Sequence, residues 1–497
     1  MYGRGVLLTV GGAVLLCLSV CAVACPTDPA TSWVYPYIDE LRLREGAGGL
    51  SPMTAPYGRL ETAAWLEGIP PVAGGSRDCW LEDMLKTDFA DEAGILRTGS
   101  GWTGAVEFYG WAGTDEAVVG ETFGRYAYYS PLGLCFWTSL RATLNGRGLH
   151  KVATRPWKDN ARASVDFAGL SFHQKGFSIG LERDEVSWGT DRRAGLLFSG
   201  SAPAFDMLRI AYRTKRVGFT SFHARLRPGP DEDVEEGIHR YVAAHRLEVF
   251  PTPFSSLAIS EAVVYGGRYR SFEPVYMNPL TIFYADQWNS DSNDNILIAG
   301  DFSFLFPGRA EIRGEVMIDD FQYDFETEPH EVGAGMTLTA VNPFRPATSL
   351  MGAFYYRVAN HTYGHVVEWN RFIQEGRLIG YPDGPDTDKL GLWLNLSIPV
   401  NVTWTMDYTY RRKGEGSATE VQGAENPGGP FPSGTVETTH AAGLEVVWRP
   451  SYAWQIMAGA RYSRVRNAGH EEGARDDDWE VVIGARYNLE LKGLFGD

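Results

Sequence analysis

The sequence predicts an all-β protein: a transmembrane antiparallel β-barrel of about 18 strands with a small N-terminal α-helical plug. Three observations carry this prediction. From Thr103 onward, apolar and polar residues alternate with a period of two. The alternating runs, each about 9–11 residues long, are joined by tight turns and long connections in alternation. Trp and Tyr collect at the ends of the apolar faces, where two membrane interfaces would lie.

Residues 1–24 read as a signal peptide. Arg4 gives a positive start, Val6 to Val20 an apolar centre, and Ala22-Val23-Ala24 a small-residue cleavage site. Cleavage there exposes Cys25. A lipid on Cys25 is one reading, with Ala22 a poor fit to the lipoprotein pattern.

Residues 25–100 have helical spacing and form the periplasmic bundle or plug. Two or three short helices are expected around Tyr37–Leu41, Leu60–Leu66 and Trp80–Leu85, separated by Gly- and Pro-rich breaks. Residues 101–497 form the barrel. In Val402 to Tyr410, the face Val402, Trp404, Met406, Tyr408, Tyr410 opposes Thr403, Thr405, Asp407, Thr409. In Trp479 to Leu489, Trp479, Val481, Ile483, Ala485, Tyr487 and Leu489 share one face. Trp448, Trp454 and Tyr462 also sit at face ends. A soluble sandwich alternates too, but it does not favour aromatics at strand ends.

The tight connections include Ser130 to Gly133, Lys215 to Val217 and Phe306 to Arg309. The long ones include 145–161, 184–205, 266–294, 358–386 and 411–437. With an even strand number, both termini lie in the periplasm and the long loops face outward. Glu261 breaks the alternation, because it shares parity with Leu257, Ile259 and Val263. A bulge that turns Glu261 inward is expected there. Inward charges of both signs predict a cross-linked, filled lumen: Glu107, Asp301, Glu311, Arg313, Glu315, Lys389, Asp407, Arg461 and Arg486.

Composition excludes several classes. After the N-terminus no run of 18 apolar residues occurs, so a helical membrane protein is excluded. The formal charge is −17 and there is no basic tract, so no nucleic acid is expected as a partner. Only Cys25, Cys79 and Cys135 follow the signal segment, with no metal spacing. A periplasmic disulfide between Cys79 and Cys135 is one possibility.

Several stretches resemble the Wzi-type capsule assembly family of outer-membrane proteins. They are Pro36-Tyr37-Ile38-Asp39-Glu40-Leu41, Pro56-Tyr57-Gly58-Arg59, and Ile179-Gly180-Leu181-Glu182-Arg183 leading to Trp188-Gly189 and Leu196-Leu197-Phe198-Ser199. His245-Arg246-Leu247-Glu248, Glu261 with Tyr265-Gly266-Gly267, Asn278-Pro279 and Ile318-Asp319-Asp320 extend the likeness. The run from Arg183 through Trp188-Gly189 to Ser199 is the most specific. The resemblance implies an 18-stranded barrel with a helical bundle at its periplasmic end. It also implies a surface lectin that attaches capsular polysaccharide to the outer membrane of a diderm bacterium.

No catalytic constellation stands out, so no enzyme activity, cofactor or metal is expected. Asp319 and Asp320 are adjacent in a strand and point to opposite faces, so they do not form a working carboxylate pair. Sugar binding needs flat apolar faces and hydrogen-bonding side chains. The 266–294 connection supplies Tyr269, Tyr276, Tyr284 and Trp288 beside Arg268 and Arg270. Trp188 with Arg183, Arg192 and Arg193 offers a second patch, whose arginines suit acidic sugars. Arg183, Glu261, Asp319 and Asp320 read as a structural lumen and loop cluster, and the 184–205 loop as a seal. The expected partners are capsular or exopolysaccharide and outer-membrane lipids, with the chain a monomer. An outer-membrane transport channel and an outer-membrane hydrolase are the alternatives.

Overall fold

The computed structural model describes residues 27–29, 32–70, 76–114, 119–144, 161–229, 236–290, 292–319, 331–344, 348–419 and 429–491. The expected signal peptide, Cys25 and Asp320 lie outside them.

Four helices precede the barrel: α1 (Val34–Glu45), α2 (Arg59–Gly68), α3 (Ser76–Asp88) and α4 (Ala90–Thr98). In α1, Val34, Ile38 and Leu41 recur at helical spacing and are buried, and Pro36 sits in the first turn, where its missing N–H costs nothing. Gly46, at φ +60°, ends the helix in the left-handed region. The apolar faces of α1 to α3 meet around Leu66, Leu81, Leu85 and Phe89. A buried Arg59 ties the bundle together, reaching Asp28 at 2.8 Å, Asp88 at 3.1 Å and Glu92 at 2.6 Å. Helix α4 exceeds the two or three helices expected, because Gly94 interrupts a short apolar pattern.

The barrel strands are β1 (Gly101–Gly113), β2 (Val119–Tyr129), β3 (Leu134–Leu144), β4 (Ala161–Gln174), β5 (Phe177–Asp184) and β6 (Phe205–Arg213). They continue with β7 (Val217–Leu226), β8 (Ile238–Thr252), β9 (Ser255–Arg268), β10 (Asn295–Phe306), β11 (Ala310–Asp319) and β12 (Val332–Val341). The last are β13 (Ser349–Val358), β14 (Thr387–Ser397), β15 (Val402–Lys413), β16 (Glu437–Ser451), β17 (Trp454–Arg466) and β18 (Arg475–Glu490). Each pairs antiparallel with its neighbours, and β1 pairs with β18 to close the sheet, which leaves no edge. Closure satisfies every strand within lipid, as a membrane span requires.

The outward residues are apolar and exposed, for example Trp404, Met406 and Tyr408 on β15. Two aromatic levels flank them. Trp454 packs on Tyr487 at 4.9 Å at the tight-turn end, and Tyr462 packs on Trp479 at 5.0 Å at the other. Residues 454 and 462 are separated by roughly 26 Å along the strand, at about 3.3 Å per residue. That length suits the hydrocarbon of an outer membrane. The protein is an outer-membrane β-barrel.

The helices close the tight-turn end. The Gly308 N–H donates to Leu43 O, and Arg77 bonds Val400 O. Arg42 pairs with Glu311 on β11 at 2.7 Å, and Arg125 on β2 pairs with Asp28 at 2.8 Å. The lumen is cross-linked by wall pairs as well, including Arg246 to Asp301, Arg486 to Glu107 at 2.9 Å and Arg461 to Asp407 at 3.0 Å.

One possibility and one expectation fail here. Cys79 and Cys135 are not joined in a disulfide. Cys135 points into the barrel among Phe123, Trp137 and Ile95, whereas Cys79 lies on the exposed side of α3. There is also no bulge at Glu261. Pairing of β8 with β9 is unbroken from Ile238↔Arg268 to Val249↔Leu257, so Glu261 keeps its outward parity. It is nevertheless buried, because a loop covers it from outside.

Candidate functional site

The run from Arg183 through Trp188-Gly189 to Ser199 becomes a stopper. After β5 the chain turns into the lumen instead of outward. Ser187–Trp188 pairs as a short strand with Thr54–Ala55 of the plug segment, and the Gly189 N–H donates to Met53 O at 2.9 Å. Trp188 is buried against Phe198 and Phe222. Gly189, at φ +134°, lies against the Glu315 carboxylate on β11, and a Cβ there would collide with it. That carboxylate accepts the Thr190 N–H at 3.1 Å, the Thr190 hydroxyl at 2.6 Å and the Leu196 N–H at 3.0 Å. The Trp188-Gly189 pair is therefore explained by packing: the indole fills the core and the glycine admits the clamp.

Arg192 completes the attachment. It grips Asp39 of α1 at 2.6 and 3.0 Å, donates to the Tyr57 hydroxyl at 3.0 Å and stacks on Tyr35. Burial raises the Asp39 carboxyl, but Arg192, with Arg313 and Arg42 behind it, outweighs burial and holds it well below the ordinary carboxylate range.

A second outer connection, residues 359–386, locks onto the first. The Ser199 N–H donates to Ile379 O at 2.9 Å, and the Tyr363 hydroxyl donates to Leu196 O at 2.6 Å. Asp319 accepts the Tyr363 N–H, so its buried carboxyl anchors this loop. Tyr363, Phe372, Ile379 and Tyr381 join Trp188, Leu196 and Phe198 against the inner faces of β6 to β13. Arg183 stays at the mouth, paired with Asp206 at 2.6 and 2.7 Å.

The lumen beside β1 to β4 is not filled in this way. A cavity of about 450 Å³ runs from Asp28 and Ser32 up to Trp111, Glu121 and Arg141 near the outer strand ends. Tyr109, Trp111 and Phe123 supply ring faces. Arg141 is committed to Glu121 and Asp166. Arg193 and Arg377 also line the cavity; both are exposed, and neither makes an ion pair among the described residues. Sequence reading named Arg193, beside Trp188, but missed Arg377 and the cleft itself. Trp111 does share inward parity with Glu107, but the arginines come from two separate loops.

The 266–294 connection takes an unexpected path. A short turn of helix, α5 (Pro274–Met277), and then α6 (Phe283–Ser290) lie against the outside of the barrel wall. Tyr276 and Phe283 are buried on the outward residues Tyr241, Ala243, Val263, Tyr265 and Ile296. Tyr276 donates to Asp294, and Arg270 is engaged by Glu273 and Asp294. Tyr284 is half-buried. Tyr269 and Trp288 remain open, at 73% and 64% exposed, and Arg268 stacks on Tyr269. The structure thus scatters the predicted sugar-binding residues. Trp188, Arg192, Tyr276 and Arg270 have internal partners, and Tyr269, Trp288 and Arg268 stand on the rim.

A family model, described as capsule assembly protein Wzi, matches residues 97–478. The chain belongs to the Wzi capsule assembly family. The Escherichia coli protein of that name is described as an outer-membrane, carbohydrate-binding β-barrel involved in group 1 capsule assembly. Its solved structure matches with a TM-score of 0.64 at 12% identity, covering 94% of this chain and 99% of that one. At that identity the likeness shows the fold. Pseudomonas aeruginosa OprD matches at a TM-score of 0.45 and 11% identity, over 80% of this chain and 96% of its own. The Pseudomonas aeruginosa protein OccK9 matches at 0.47 and 9%, over 78% and 98%. No curated protein matches the chain in sequence.

Proposed function

We propose that this barrel binds a capsular or related surface polysaccharide at its outer side and supports capsule attachment by binding rather than catalysis. The observation that carries the reading is the cleft beside β1 to β4. It joins aromatic faces at Tyr109 and Trp111 to two guanidinium groups, Arg193 and Arg377, that hold no ion pair among the described residues. Pyranose rings stack on such faces, and an acidic sugar meets a fork of donors. Its volume of about 450 Å³ lies in the range of small-molecule sites. Tyr269, Arg268 and Trp288 on the rim are a second contact for a chain leaving the cleft. The family and the fold it shares with a carbohydrate-binding barrel support this reading.

The interlocked plug and loops favour this reading over a transport channel. The barrel is read as a monomer in outer-membrane lipid, without cofactor or nucleic-acid partner. The test is binding of purified capsular and exopolysaccharide from the producing cell. We expect Arg193→Ala with Arg377→Ala to weaken binding at least tenfold and to remove most of its salt dependence. Tyr269→Ala with Trp288→Ala should weaken it less. If the unaltered protein holds neither polysaccharide, the reading fails.

A further inference from the structure

Toward their outer ends, strands β8 and β9 are buried on both faces. Tyr241, Val242, Ala243 and Ala244 are all buried, as are Ala262, Val263, Val264 and Tyr265. A strand covered on both sides reads as a continuous apolar run, which is why alternation fails there. Val242, Ala244, Ala262 and Val264 face the lumen core. The covering on the other side is residues 270–290.

The outward pair beneath that cover is polar. His245 and Glu261 are register partners, 3.1 Å apart between Nε2 and Oε2. Leu257 and Ile259 lie on the same face of β9 just below, exposed as the lipid belt. Glu261 is six residues from the periplasmic start of β9, roughly 20 Å at about 3.3 Å per residue before strand tilt. That is within the hydrocarbon band, where an outward carboxylate is costly. The start of α6 resolves the conflict. The N–H groups of Phe283 and Tyr284 donate to Glu261 at 2.9 and 2.7 Å, and the Phe283 ring covers His245 at 4.6 Å.

The covering segment must then meet what the wall would have met. Its outer surface is mainly apolar: Leu280 is 82% exposed and Ile282 64%, with Phe272 and Met277 open beside them, and the exposed Asn278 turns its Oδ1 to accept the Leu280 N–H at 3.2 Å. The patch covers the outward face of β9, whose next outward residues below Glu261, Leu257 and Ile259, are exposed and apolar, as is Phe304 on β10. We propose that residues 272–282 are seated among the acyl chains of the outer leaflet, so that this connection is a membrane-embedded clasp on the barrel wall. The occupant of the patch is lipid hydrocarbon. The proposal does not depend on polysaccharide binding.

The test uses the full chain with its own cysteines replaced by serine and one new cysteine, Leu280→Cys or Ile282→Cys, carrying a fluorescent label. Both positions are exposed, and heat-modifiable gel migration checks folding. The protein is placed in phosphatidylcholine vesicles whose acyl chains carry bromine. Ile259→Cys is the belt control and Asn289→Cys the water-side control. We expect bromine to quench the labels at 280 and 282 within twofold of position 259, with iodide in the water quenching only position 289. Iodide quenching at 280 and 282, with no effect of bromine, would overturn the proposal. Protection from both quenchers together with a doubled native mass would overturn it too, by placing a second copy on the patch.

Discussion

Arg192, in an outer connection, holds Asp39, in a periplasmic helix, through two hydrogen bonds at 2.6 and 3.0 Å inside the barrel. The two stoppers of the lumen are therefore one connected body. A plug held only by its rim contacts would be free to rock away from the loops. This pair and the short strand Thr54–Ala55 with Ser187–Trp188 prevent that.

Arg192→Met removes the main partner and leaves the Asp39 carboxylate half-buried beside Tyr57, with only Arg42 within pairing distance, at 3.8 Å, among the described residues. Breaking such a pair should cost about 3 kcal/mol. Urea unfolding in lipid measures the loss. In planar bilayers the parent should show no steady conductance, and the variant should show intermittent openings. Steady conductance of the parent would favour the channel reading.

The same pair sets an acid limit. Asp39 titrates below its unfolded value, so the unfolded chain binds the extra proton first as pH falls. The stabilisation is complete above about pH 5 and declines below it, through the ordinary carboxylate range near 4, as pH approaches the lowered folded value. Unfolding midpoints from pH 7 to pH 3 should fall more steeply for the parent than for Asp39→Asn.

Gly189→Ala adds a Cβ against the Glu315 carboxylate at a backbone angle that disfavours side chains. The clamp on Thr190 and Leu196 should open. We expect a loss of about 2 kcal/mol and faster protease cutting between residues 190 and 202. An unchanged cutting rate would show that the loop is held elsewhere.

Glu261→Ala strips the acceptor from the Phe283 and Tyr284 N–H groups and leaves His245 alone on the outer wall. Unsatisfied buried groups cost about 1–3 kcal/mol each. Amide hydrogen exchange at residues 283–290 should accelerate at least tenfold, with β14 to β18 unchanged.

The barrel was legible because a membrane strand declares itself locally. Trp404, Met406 and Tyr408 must meet lipid while Thr405 and Asp407 face inward, and the backbone alone imposes that period. The family motif around Trp188 was legible for the same reason: its residues lie within one short stretch. Glu261 shows where such reading ends. Its parity with Leu257 and Ile259 points outward, but a lone carboxylate among lipid-facing residues led to the expectation of a bulge and an inward turn, which the unbroken register overturns. Only the path of residues 270–290 shows that the wall is covered there. The cleft arginines, Arg193 and Arg377, likewise come together through two loops whose shared packing has no local period.

By itself, then, the sequence determined the barrel, its approximate strand number, its aromatic levels and its helical plug, since each depends on side chains a few residues apart. Tertiary structure alone decided that the 184–205 loop reaches Asp39, that α6 lies outside the wall, and that Cys79 and Cys135 stay apart. Those contacts join residues distant along the chain. Their formation rests on which loop path buries the most apolar surface while satisfying its polar groups, and no local pattern records that choice.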